Sequence, residues 1–100
     1  MGQKLTSEQN KLYKRIDNLL WEDWDPIGVN DHESARDEYQ SYLPQVFRLV
    51  NEGAKISEIA DYLDTIVTES IGLQSDLKHC TEIAKLIKSE QNEIYQASAL

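Results

Sequence analysis

Apolar side chains return at steps of three and four along most of this chain, and no stretch alternates strictly as a half-buried strand would. Leu12, Ile16, Leu19 and Leu20 form one stripe; Tyr39, Tyr42, Leu43, Val46, Phe47 and Val50 form a second. Ile59, Ala60, Leu63, Ile66 and Val67 form a third, and Leu77, Cys80, Ile83, Ala84, Ile87 and Ile94 a fourth. This periodicity predicts an all-α fold, a compact array of four to five helices joined by short connections. The 100 residues suit a single domain, with ends expected to fray near 1–5 and 96–100.

Local signals place the boundaries. Thr6-x-x-Gln9 has the form of a capping box for the first helix, and Pro26 disfavours helical backbone at Asp25, so that helix should end near Asp23 or Trp24. Gly28 and Asn30 can take positive φ and support a turned loop, with Ile27 and Val29 expected to point inward. A second helical region spans about Ser34 to Asn51. Pro44 either kinks it or opens a new helix in its first turn. Gly53 should stop that element, Gly72 the next, and Ser75 can cap the fourth.

Charge narrows the function classes. The net −8 is concentrated: residues 17–38 hold eight acids against Arg36 alone, a balance of −7, whereas residues 1–16 hold four cations against Glu8, a balance of +3. Such a surface repels phosphate backbones, so nucleic acid is an unfavoured partner. A cationic protein partner is favoured, because an acidic patch speeds its approach. No run nears the roughly 18 apolar residues of a membrane span, and no apolar block follows the N-terminal charges as in a signal peptide. A lone Cys80 allows no internal disulfide and suits a reducing compartment, so the expected location is cytoplasmic.

No catalytic, cofactor or metal site emerges. Asp23, Asp25, Asn30, Asp31 and Glu33 invite a calcium loop, but counted from Asp23 the fifth and seventh positions are Ile27 and Val29, and the twelfth is Ser34 rather than Glu. His32-Glu33 and His79-Cys80 are adjacent pairs whose side chains diverge on a helix, and there is no His-x-x-x-His or Cys-x-x-Cys. Cys80 is expected in or near the core. Trp21 and Trp24, three apart, share a helix face, and such pairs either pack a core edge or anchor an interface. The candidate partner-binding residues are Trp21, Asp23, Trp24, Asp25, Asp31, Glu33, Asp37, Glu38, Tyr39 and Tyr42.

Trp24-Asp25-Pro26-Ile27-Gly28-Val29, followed by Asp37-Glu38-Tyr39, Ser41-Tyr42 and Pro44, resembles a family of small uncharacterised bacterial all-helical proteins with a W-D-P-I-G-V motif. Glu52-Gly53, Ile59-Ala60-Asp61-Tyr62-Leu63 and Glu69-Ser70-Ile71-Gly72-Leu73 continue the likeness, which covers about Leu19 to Ile87. It implies a compact helical array and carries over no catalytic residue. More loosely, the chain resembles immunity proteins of contact-dependent growth inhibition. Together these make it a non-catalytic binding module, expected to neutralise a cognate basic toxin such as a cationic nuclease. The alternative is a housekeeping or scaffold domain unrelated to toxins.

Overall fold

A computed structural model describes residues 5–26, 28 and 39–99, with the side chains of 98 and 99 set aside. The described residues form four helices and no strand. These are α1 (Ser7–Leu19), α2 (Leu43–Asn51), α3 (Ile56–Thr65) and α4 (Leu77–Ala99). The all-α class and the helix number follow the periodicity.

α1 starts at the expected capping box. The Thr6 hydroxyl accepts from the Gln9 backbone N–H at 3.1 Å, and the Gln9 side chain accepts from the Thr6 N–H at 2.9 Å. Two donors that helix geometry leaves unpaired are thereby satisfied.

Both α1 and α3 finish in a widened π turn, Leu20–Trp24 after α1 and Ile66–Ile71 after α3. The cause lies in the spacing of their apolar residues. Leu12, Ile16, Leu20 and Trp24 advance by fours, as do Ile59, Leu63, Val67 and Ile71. Four residues overshoot one α-helical turn of about 3.6 residues, so the stripe drifts about 40° per step. A wider turn rotates less per residue and brings Trp24, or Val67 and Ile71, back over the core. Leu20 and Trp24 are 1% exposed, and Val67 is 3% exposed.

The region expected to be helical from Ser34 is corrected where it is described. Tyr39 to Tyr42 form a turn, with the Tyr42 N–H donating to the Tyr39 carbonyl at 3.1 Å. Pro44 then lies in the first turn of α2, where its missing N–H costs nothing, so it starts a helix rather than kinking one. Gly53 (φ 85°) and Gly72 (φ 84°) end their elements in left-handed backbone, as their positions suggested. The cap of α4 is Asp76, not Ser75: an Asp76 carboxylate oxygen accepts from the His79 N–H at 3.3 Å. Ser75 instead donates to Asp64 at 2.6 Å, and a second Asp64 oxygen accepts from the Asp76 N–H at 2.8 Å. α4 stays helical through Ala99, past the fraying expected from Gln96.

α4 is the longest helix and runs antiparallel to α1. Arg15 pairs with Glu90 at one level, while Trp24 meets His79 further along. α4 also packs extensively on α3, and its Gln91 side chain donates to the Val50 carbonyl at 3.1 Å, capping the end of α2. One core joins all four helices, from Leu12 and Ile16 through Val46, Val50, Ile59 and Leu63 to Cys80, Ala84 and Ile87.

Candidate functional site

The tryptophan-rich turn after α1 is where the sequence placed its candidates, and it divides into an inward and an outward face. Trp24 points in, with its ring 5.4 Å from Tyr39 and 6.4 Å from Tyr42. Trp21 also packs on Tyr39, at 6.2 Å. These tilted and edge-on arrangements suit the ring quadrupoles and add to the area they bury. Tyr39 is 2% exposed and Trp21 9%. Trp21, Trp24 and Tyr39 therefore move from the candidate contact face to the core, because their surfaces are covered by one another. Tyr42 stays half-buried at the rim.

Asp25 terminates the π turn in left-handed backbone (φ 30°, ψ 61°), with its N–H donating to the Leu20 carbonyl at 3.1 Å. Aspartate tolerates this region better than most residues. Its carboxylate accepts the Tyr39 hydroxyl proton at 2.6 Å. Asp25 is thus engaged in holding the turn against the segment that leads into α2. The chain then bends at Pro26, and the Gly28 N–H donates back to the Asp25 carbonyl at 3.2 Å.

α4 secures the same turn from the other side. His79 Nε2 donates to the Trp24 carbonyl at 3.0 Å, linking residues 55 apart. Cys80, the next residue, is fully buried, as expected. The Trp24 indole N–H faces its sulfur but reaches hydrogen-bond geometry with no acceptor. Burial pushes the Cys80 thiol above its ordinary value of 9.0. The facing indole opposes this, and Asp64 and Asp76 add to the rise. His79-Cys80 thus works as a clasp on the tryptophan turn.

The outward face carries charge. Glu22 and Asp23 are exposed between the buried tryptophans, in the last turn of the α1 segment, and no basic residue shares that turn. The negative end of the helix dipole makes this an unfavourable place for an acid such as Asp23. Of the remaining candidates, Asp31, Glu33, Asp37 and Glu38 lie outside the described residues, as do Ile27 and Val29. A separate groove of about 240 Å³ opens between α1 and α4 at the far end of α1, lined by Glu8, Lys11, Arg15, Glu93, Ile94 and Ala97. No group of three or more His, Cys, Asp or Glu able to hold a metal ion occurs among the described residues. None of their helices is long and apolar enough to cross a membrane. No family model, curated protein or solved structure matches the chain.

Two raised acid groups set an alkaline limit on stability. Burial, then the neighbouring Tyr42, also raises Tyr62 above 10.0. A folded-state pKa above the unfolded one means that the unfolded chain releases its proton first, so stability falls as pH rises through that interval. The urea midpoint should hold steady from about pH 7 to 8 and decline above about pH 9. Cys80→Ala should decline less steeply over that range. Parallel pH profiles for the two proteins would remove the thiol from this account.

Proposed function

We propose that the chain is a non-catalytic protein-binding module, most concretely an immunity protein that neutralises a cognate basic toxin, such as a cationic nuclease, by direct contact. The observation that carries this reading is exposed Asp23, at a helix end where the dipole disfavours an acid. It sits within a stretch whose balance is −7. The acids of this stretch, Asp23 among them at a helix end that the dipole disfavours, are explained by a role outside the fold. In this reading they steer and pair with the Lys and Arg that line a nucleic-acid cleft, as complementary charge does for association rates. Tyr42, at the rim, supplies apolar contact. Asp31, Glu33, Asp37 and Glu38 extend the same acidic stretch along the sequence.

Burial of Trp24 and Tyr39 favours the alternative for one part of the motif: these residues build the fold, as they would in a scaffold domain. The two readings therefore separate at the acids. The test is a variant with four acids neutralised, Glu22→Gln, Asp23→Asn, Asp31→Asn and Glu33→Gln, compared with the parent in affinity capture from the native host's lysate as salt is raised. One basic nuclease-like protein held by the parent, released by salt and lost from the folded variant is the expected result. If the variant retains that protein with the same salt profile, or the folded parent retains nothing, the acids are only solubilising charge.

A further inference from the structure

The end of α1 and the first turn of α4 meet at the one buried side-chain polar atom that lacks a partner among the described residues. The Trp24 indole N–H is buried beside Cys80 without an acceptor, and a buried unpaired donor is unfavourable. Asp25 holds left-handed backbone directly after a π turn. On the other side, residues 72–78 are exposed and contribute no side chain to the core. What holds this stretch and its end of α4 down is a short set of polar contacts: His79 on the Trp24 carbonyl, Asp64 on Ser75 and on the Asp76 N–H, and the Leu73 N–H on the Val67 carbonyl at 2.8 Å. One turn further on, Ile83, Ala84 and Ile87 are buried, so the helix is firmly anchored from there.

We propose that the segment from Gly72 to Cys80 is a latch, which lifts from the end of α1 as a local unit while the rest of the four-helix core stays folded. Lifting breaks the His79 and Asp64 contacts, but it lets water satisfy both the Trp24 carbonyl and the orphaned indole N–H. Few apolar side chains are uncovered in exchange, chiefly Cys80 and one edge of Trp24. Segments with little apolar burial and exposed backbone bonds are those that open below the free energy of global unfolding. The device needs no partner and does not rest on the binding role proposed above. Its consequence is a conditional thiol: Cys80 is fully covered while the latch is closed and reachable only when it is open.

Reaction of Cys80 with dithiobis(nitrobenzoate) reads the open state directly, because it is the sole cysteine. With the latch, the labelling rate is flat at low urea and exceeds the rate allowed by global unfolding by about tenfold or more. It joins the global line only at higher urea. Two variants sharpen the result. His79→Ala should raise the flat rate by about tenfold, the equivalent of one hydrogen bond of about 1.4 kcal/mol. Ile16→Val, in the buried middle of α1, should lower the global urea midpoint and leave the flat rate where it was. A labelling rate that follows global unfolding down to zero urea would overturn the proposal. So would an Ile16→Val variant whose flat rate rises in step with its lost stability, or a His79→Ala variant whose flat rate does not change.

Discussion

Trp24→Ala should lose about 3–5 kcal/mol of folding stability, the usual range for deleting a buried aromatic. Trp24 is 1% exposed and borders Tyr39, Tyr42, Cys80 and the π turn, so no single neighbour can collapse into the space it leaves. A domain of this size shifts its melting temperature by about 4–8 °C per kcal/mol, so the melt followed by helical circular dichroism should fall by about 15–30 °C. Relief of the unpaired indole N–H offsets part of the loss, which places the expectation toward the lower half of the range. A shift of only a few degrees would mean that the Trp24 ring contributes little to the core. Asp23→Asn should hold or slightly raise the melting temperature, because it removes an acid from the negative end of the helix.

Tyr39→Phe isolates one bond within the same cluster. The ring contacts with Trp21 and Trp24 remain, while the hydroxyl donated to the Asp25 carboxylate is lost. Hydrogen bonds to a charged group contribute about 1.5–3 kcal/mol, and at 2.6 Å between partly buried groups this one should fall in that range. Chemical denaturation should show a lower midpoint with an unchanged slope, since the surface exposed on unfolding is unaltered. Asp25→Asn keeps an acceptor and the tolerance for left-handed backbone, and it should cost less than Tyr39→Phe. If both substitutions leave the midpoint in place, the bond contributes nothing to stability and the turn is held by packing alone. Because Trp24 and Tyr39 touch, the losses from Trp24→Ala and Tyr39→Phe should not sum in the double variant.

The features legible in the sequence were those decided within a few residues. The Thr6–Gln9 box, the glycine stops at 53 and 72, and the burial of Cys80 each follow from local spacing or residue chemistry. The π turns were encoded too, in two runs of apolar residues four apart, but a fixed helical period of 3.6 treats such a run as an ordinary stripe and hides the accumulating drift. Ser75 is the cap that the sequence suggested, and its neighbour Asp76 is of an equally suitable type. The choice fell to Asp76 because Asp64, eleven residues earlier, takes the Ser75 hydroxyl. The clasp between His79 and Trp24 spans 55 residues, and no local pattern announces it. The aromatics were ambiguous for a physical reason: tryptophan and tyrosine serve cores and interfaces through the same ring chemistry, and only the fold decides which surface they cover.

The antiparallel pairing of α1 with α4 sets an order of assembly. Leu12 and Ile16 complete their burial only when the helix carrying Glu90 and Gln91 has arrived, about 75 residues later along the chain. On the ribosome, α1 therefore meets α2 first, through Tyr13 and Phe47, and waits for α4 to cover the rest of its apolar stripe. At a translation rate of about 5–20 residues per second, that wait lasts about 4–15 seconds. The enclosure of α1 is thus completed by the helix farthest from it along the described chain.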